Sequence, residues 1–301
     1  MRGRHLYLLL VFNVFWAATM PANKALGAYL SAGGIVTLRF ALAAGILAAL
    51  WPWLPGPSPR GWDLARSAVI GVLVFVVGQR LQVLGNALGS AGNSVVLMAL
   101  EPLLCSVLAA VFLREHIPAR RWLGFVLGMA GVGLLNGVWR ADFQWVSLAA
   151  SLIFVSSFFC ESSYSILSKP MLARAGPARI LAVALFAAVL ANLAVDGRQT
   201  LGAVARLPAT GWLLLAFMAV VCTVLGYTVW LLAIREMDVN LAALTIFVQP
   251  IAGVPMAMIW VGETPHWGQL WGCLAIMGGM LLGLVRWPEK PAAKADHEPA
   301  G

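Results

Sequence analysis

Long, continuously apolar runs alternate with short polar segments along the whole chain, and ten such runs can be counted. Continuous apolar runs favour helices, because the strands of a membrane barrel alternate apolar and polar positions. A helix that spans a membrane needs roughly 20 residues. The predicted spans are residues 6–27, 35–54, 67–88, 91–113, 120–139, 145–168, 179–196, 211–234, 239–261 and 267–287. The pattern therefore predicts an all-α integral membrane protein with ten transmembrane helices.

The composition supports a membrane protein. The 301 residues are 61% hydrophobic and 11% charged, whereas soluble domains carry about 25% charged residues. The net charge of +8 could suggest nucleic acid, but the basic residues are scattered in short groups between the apolar runs. We therefore expect the lipid bilayer as a partner and no nucleic acid.

The lysines and arginines predict the orientation. Fourteen of them lie at the loops and termini on one side of the predicted helices, and three lie on the other side. The three on the poor side are Arg140, Arg198 and Arg206. The positive-inside rule then places both termini in the cytoplasm. We expect the membrane to be the inner (plasma) membrane. Residues 289–301 are expected to form a disordered cytoplasmic tail.

The chain contains an internal repeat. A shift of 148 residues aligns Glu101-Pro102 with Gln249-Pro250 and Glu115 with Glu263, and a shift of 145 aligns Lys24 with Lys169. Residues 1–140 and 141–288 are thus predicted to form two repeats of five spans each. Because five is odd, the second repeat enters the membrane inverted, which is typical of secondary transporters that work by alternating access.

Several segments carry a family resemblance, in matching order and spacing. They are FWAATMPANKAL (15–26), TLRFALAAGIL (37–47), LEPLLCSVLAAVFLRE (100–115), GFVLGMAGVGLL (124–135) and QPIAGVPMAMIWVGE (249–263). Over residues 6–287 the chain resembles the EamA family of the drug/metabolite transporter superfamily. The resemblance implies a ten-helix, inverted-repeat exporter or exchanger of small metabolites, often amino acids. Glu161 departs from the family, where an aromatic or small residue is common.

Five ionisable residues inside the predicted spans are candidates for a role in function: Lys24, Arg39, Arg80, Glu101 and Glu161. A charge at the bilayer centre costs about 2.5–3.5 kcal/mol. Lys24 and Arg39 lie near span ends, so they are expected to snorkel, with an outer anion-attracting vestibule as the alternative. Arg80 and Glu101 have similar depths on neighbouring helices. They are expected to pair, either as a structural ion pair or as a substrate site for a carboxylate (Arg80) and for an amino group or a proton (Glu101).

Glu161 belongs to a polar stripe of span 6. Ser157, Tyr164, Ser165 and Ser168 share its helix face, which predicts either a water-accessible cavity or hydrogen bonds between helices. In a cavity, Glu161 is a candidate proton carrier together with Glu101, because burial disfavours a charged carboxylate.

Further residues complete the predicted site and its frame. Trp16, Asn93, Tyr227, Trp230 and Gln249 are candidates for substrate binding, although packing between helices explains each of them as well. The equivalence of spans 3–4 and 8–9 places the site between them. Pro102 and Pro250 are expected to bend their helices and to free carbonyl groups near Met98 and Ile246.

Two other sets of residues have predicted structural roles. Glu115 and Glu263 are expected to cap or stabilise the starts of spans 5 and 10. The Gly-xxx-Gly ridges Gly124/Gly128 and Gly279/Gly283 can pack within the chain or form a homodimer.

The sequence thus favours a transporter that exports or exchanges small polar metabolites, amino acids above all, with efflux of cationic or aromatic drugs as the alternative. An enzyme is not expected. The four histidines lie at span ends or in tails, and no nucleophile–histidine or carboxylate–histidine set has a recognisable spacing. The four cysteines lie in apolar runs without a CxxC pair, so neither a metal nor a cofactor is predicted.

Overall fold

The computed structural model describes residues 2–105, 119–141 and 143–284, which form helices joined by short loops and contain no strand. We number the helices α1 to α10 in chain order. Their bounds are α1 Arg4–Leu26, α2 Ala32–Ala49, α3 Trp62–Leu88, α4 from Ala91–Met98 onward, α5 Ala119–Asn136, α6 Trp145–Ser168, α7 Pro177–Val204, α8 Ala209–Glu236, α9 Leu241–Val261 and α10 Trp267–Leu284.

Within the described residues, seven helices are long and apolar enough to cross a membrane: α1, α2, α3, α6, α7, α8 and α9. Helices α5 and α10 contain shorter apolar stretches, Trp122–Asn136 and Trp267–Leu282. The described part of α4 ends at Cys105. The rest of its predicted span, Glu115 and the predicted tail 289–301 lie outside the described residues.

Helices α3, α4, α8 and α9 have local breaks at similar places in the two halves of the chain. The wide turns of a π-helix occupy Leu73–Gly78 in α3 and Met218–Leu225 in α8, and their first residues are 145 positions apart. A turn at 99–100 interrupts α4 just before Glu101-Pro102. The tighter turns of a 3₁₀-helix occupy Leu244–Phe247 in α9, just before Gln249-Pro250. A proline removes one helical hydrogen bond and crowds the preceding turn, which explains the last two breaks.

Glycine faces bring α5 and α10 into close contact within the chain. A methyl group on Gly279 would lie 2.5 Å from the carbonyl oxygen of Gly124, and one on Gly131 would lie 2.9 Å from that of Gly272. Only glycine permits so close an approach of two backbones. These faces are therefore used inside the chain, and a homodimer through α5 and α10 would need their other faces.

Glu263 caps a helix, but a different one from the helix predicted. Its carboxylate accepts hydrogen bonds from the backbone N–H groups of Ala91 (2.7 Å) and Gly92 (2.8 Å), at the start of α4. The sequence places Glu263 beside the start of α10, so that expectation was wrong about the partner. The free N–H groups of any helix N-terminus attract a carboxylate, and sequence proximity does not decide which helix is reached.

Candidate functional site

A cavity between the helices is lined by residues from seven of them. The centres of water molecules can occupy a volume of about 70 Å³ inside it. By the same measure, a single water needs about 10–15 Å³. The lining residues are Trp16, Thr19, Met20, Arg39, Gln79, Gln82, Met98, Glu101, Glu161, Tyr164, Ser165, Tyr227, Trp230, Ile246 and Gln249. The cavity therefore has room for several waters or a small polar group, and it carries both signs of charge.

Arg39 supplies the positive charge in this cavity. Its side chain comes from α2 and is only 4% exposed. The guanidinium donates from Nε to the Thr223 hydroxyl (2.9 Å) and from Nη1 to Oε1 of Gln79 (3.2 Å). Thr223 lies in the π segment of α8 and in turn donates to the Met218 carbonyl (2.9 Å). The prediction that Arg39 snorkels to a surface was therefore wrong.

Glu161 is held by the same glutamine. Gln79 donates from Nε2 to the Glu161 carboxylate (2.5 Å), while its own amide oxygen accepts from Arg39. The two ends of the Gln79 amide thus match a carboxylate and a cation, which fixes its orientation. The result is a chain of polar groups, Arg39–Gln79–Glu161, along one wall of the cavity.

Glu101 also lines the cavity, and none of the hydrogen bonds found within the described part of the chain involves its carboxylate. The carboxylate of Glu161 lines the same cavity. Buried charges are normally paired or hydrogen-bonded, so Glu101 is the cavity group whose bonding capacity is least used.

Aromatic side chains form a second wall. The Trp16 ring meets the rings of Tyr227 (centroids 5.8 Å apart) and Trp230 (6.1 Å) edge to face. The Trp16 indole N–H donates to the Cys222 carbonyl (2.8 Å), and that of Trp230 donates to the Ser165 hydroxyl (3.0 Å). Both indoles are therefore fixed in place by a hydrogen bond as well as by packing.

Gln249, the counterpart of Glu101 in the repeat, belongs to a neutral network. It donates from Nε2 to Oδ1 of Asn13 (2.7 Å), and Asn13 donates to the Thr245 hydroxyl (2.8 Å). The two equivalent positions thus differ in charge and in bonding, because Gln249 is tied to α1 and Glu101 is not.

A sequence model of the EamA-like transporter family matches residues 4–137 and, a second time, residues 148–285. The chain belongs to the EamA-like transporter family. It is therefore a multi-pass membrane transporter.

The chain is also similar to named transporters, and it shares its fold with a solved structure. The transporter is 25% identical to the probable terminal-alkyne amino-acid exporter of Streptantibioticus cattleyicolor, over 93% of both chains. It is 25% identical to the uncharacterized inner membrane transporter YedA of Escherichia coli, over 84% of this chain and 83% of that one. One crystal structure shares its fold with a TM-score of 0.64 at 17% identity, over 94% of this chain and 98% of that chain.

Two predicted site residues of this EamA-like transporter lie away from the cavity. Arg80 forms an ion pair with Asp196 of α7 (3.0 Å) and donates to Oδ1 of Asn192 (2.8 Å), so the predicted Arg80–Glu101 pair was wrong. Gln79 faces the cavity, and the next residue of a helix points about 100° away. Asn93 lies near the start of α4, where it lines two other pockets and not the cavity.

The remaining predicted residues do come together. Trp16, Glu101, Glu161, Tyr227, Trp230 and Gln249 all line the one cavity. Met98 and Ile246, beside the two helix breaks before Pro102 and Pro250, line it too. Sequence reasoning assigned the cation to the wrong arginine and gave Gln79, which connects Arg39 to Glu161, no specific role.

Proposed function

We propose that this EamA-like transporter is a secondary-active carrier that exports or exchanges small polar metabolites, amino acids above all. One observation carries the proposal. The cavity contains a guanidinium and two carboxylates, and Arg39 is not within ion-pair distance of either carboxylate in the described structure. Opposite charges kept apart in a buried cavity are suited to a ligand that brings both charges itself.

The substrate class follows from the chemistry of the three groups. Arg39 has donors that match a carboxylate, and Glu101 has free acceptors for an ammonium group. A zwitterion with its charges a few ångströms apart satisfies both. The small cavity favours a small compound, and the name of the Streptantibioticus relative, a probable amino-acid exporter, agrees with this class. We propose Glu161, together with Glu101, as the proton-coupling site, because it is the second carboxylate of the cavity.

The finer architecture is part of the same proposal. We propose that all ten helices cross an inner membrane, as two inverted repeats over residues 1–140 and 141–288, with both termini in the cytoplasm. The double match of the family model and the similarly placed breaks support two repeats. The basic residues support the orientation, and the name of the Escherichia coli relative supports the membrane. Reporter fusions at the termini and at residue 141 test the orientation.

A second candidate function is efflux of cationic or aromatic compounds. The observation that favours it is the aromatic wall of Trp16, Tyr227 and Trp230 next to two carboxylates, because aromatic faces and carboxylates both attract organic cations.

A counterflow panel tests the two functions against each other. Purified protein in proteoliposomes is supplied with radiolabelled amino acids or with cationic dyes, with and without a pH gradient. We expect saturable exchange of at least one amino acid, with a much higher half-saturation concentration in Glu101→Gln. Robust dye efflux without exchange of any amino acid would overturn the leading function in favour of the second. Undiminished transport in both Glu101→Gln and Glu161→Gln would exclude carboxylate coupling.

A further inference from the structure

Lys24 lies at the end of α1 and joins it to the end of α3. Its ammonium group donates to the carbonyl oxygens of Asn86 (3.3 Å), Ala87 (2.9 Å) and Gly89 (2.5 Å). The last carbonyls of a helix have no partner within the helix and carry the negative end of its dipole. The sequence position of Lys24 suggested that it snorkels or lines a vestibule. The structure shows neither of these arrangements. Lys24 ties two helix ends together.

Lys169 makes the corresponding contact in the second repeat. It follows α6, and its ammonium group donates to the carbonyl oxygen of Met237, which ends α8 (3.4 Å). Lys169 is 145 positions after Lys24, and Met237 is 148 positions after Gly89. Gly89 and Met237 also end their helices alike, each with its N–H bonded to the carbonyl four residues earlier at 2.9 Å. The two lysine contacts are therefore equivalent in the repeat.

Each lysine follows a buried polar residue that lacks a hydrogen-bond partner in the described part of the chain. Asn23 is 2% exposed, with both amide atoms unpartnered, and Ser168 is fully buried, with its hydroxyl unpartnered. The amide oxygen of Asn86, next to the Lys24 contact, is unpartnered as well. Buried polar side chains nearly always have partners, so these atoms indicate a ligand or water that another conformation admits.

These unpartnered groups continue the lining of the cavity. Asn23 is four residues after Thr19, and Asn86 is four residues after Gln82. Residues four apart lie on the same helix face. Ser168 follows Ser165 and Tyr164, which also line the cavity, by three and four residues. Polar faces thus lead from the cavity toward the ends of α1 and α3 in one direction, and toward the ends of α6 and α8 in the other.

We propose that these two polar faces are the substrate's exit sites at opposite membrane surfaces, and that Lys24 and Lys169 close them. The Asn23–Asn86 site takes the polar groups of the substrate on the side where α1 ends, and the Ser168 site takes them on the side where α6 ends. Lys24 binds three carbonyls and Lys169 binds one at a longer distance, so the first exit is the more firmly closed. The proposal rests on the proposed transport through the cavity.

Accessibility of a cavity cysteine tests the proposal without a substrate. Thr19→Cys is placed in the full chain with the four native cysteines replaced by alanine. A membrane-impermeant maleimide is added to intact spheroplasts or to inside-out vesicles. We expect Lys24→Met to raise labelling of Thr19→Cys from the outside at least about threefold. Lys169→Met is expected to raise it from the cytoplasmic side, and Lys24→Arg, which keeps charge and donors, is expected to change little.

Controls separate an opened exit from an unfolded protein. Ala188→Cys, on α7 and fully buried, is expected to stay unlabelled in every folded variant. If it is labelled in Lys24→Met, the comparison moves to Lys24→Gln, for which a smaller increase is expected because one donor group remains. Unchanged labelling in both lysine variants, or an increase from the cytoplasmic side in Lys24→Met, would overturn the proposal. The labelling experiment uses no substrate. Its outcome therefore stays interpretable even if the counterflow panel shows no amino-acid exchange.

Discussion

Replacing Glu101 by glutamine removes a negative charge from the cavity and keeps the size of the side chain. Glu101 lines the same cavity as the carboxylate of Glu161, and none of the hydrogen bonds found in the described part of the chain involves it, so the folded state should gain stability when the charge is removed. For a ligand whose ammonium group binds Glu101, the loss is one hydrogen bond to a charged group, about 1.5–3 kcal/mol. Affinity should then fall roughly 10- to 150-fold, since 1.4 kcal/mol is tenfold.

Glu263→Gln is the matched control, because it makes the same chemical change outside the cavity. Glu263 accepts two backbone hydrogen bonds, of 2.7 and 2.8 Å, at the start of α4. An amide has one oxygen fewer to accept them and no charge to interact with the helix dipole, so the free energy of unfolding should fall by about 1 kcal/mol. Affinity for the transported amino acid should stay unchanged, because Glu263 does not line the cavity.

Two measurements on the same preparations decide the comparison. Thermal unfolding in detergent should give a higher midpoint for Glu101→Gln than for the parent, and a lower one for Glu263→Gln. Half-saturation of amino-acid counterflow should shift only in Glu101→Gln. The reasoning is refuted if Glu101→Gln lowers the unfolding midpoint as Glu263→Gln does, or if its half-saturation stays within about twofold of the parent value.

Three further substitutions test other parts of the structure. Arg39→Lys keeps the charge and loses the planar fork, so half-saturation for amino acids should rise about tenfold for one lost charged hydrogen bond, and dye efflux, measured in parallel, should not change. Gly226→Val should slow transport in the same assay, because a Cβ there lies 3.0 Å from the Trp16 ring. Arg80→Met removes the cation from the carboxylate of Asp196 and leaves it only the hydrogen bond from the Thr37 hydroxyl, which should cost about 3–5 kcal/mol in thermal unfolding while the folded fraction still transports. A transport loss with unchanged stability would contradict that assignment.

Much of the fold could be predicted from the sequence, because the lipid around this chain permits few kinds of backbone structure. Apolar runs in lipid must satisfy their backbone groups as helices, so the described helices overlap the predicted spans, and seven of them are long and apolar enough to cross a membrane. The breaks before Glu101-Pro102 and Gln249-Pro250 also follow from local chemistry, because a proline disrupts the turn that precedes it. Glu263 shows where this reasoning ends, since its helix partner is 171 residues away in sequence.

The site was harder to predict because depth along a helix does not give the direction of a side chain. Arg80 and Arg39 were ranked by their distance from a helix end, which favoured Arg80. The π segment Leu73–Gly78 lies just before Gln79 and Arg80, and each extra residue in a turn rotates the later positions by about 100°. That rotation is invisible to a count of positions. It directs Gln79 to the cavity and Arg80 to Asp196.

A structure of the protein with a bound amino acid from the counterflow panel tests the central claim most directly. The account predicts the amino acid in the cavity, with its carboxylate against the Arg39 guanidinium and its amino group against the Glu101 carboxylate, next to the aromatic wall of Trp16, Tyr227 and Trp230. A transported amino acid bound elsewhere, for example in the pocket beside His266 and Arg140, with the cavity unchanged, would contradict it.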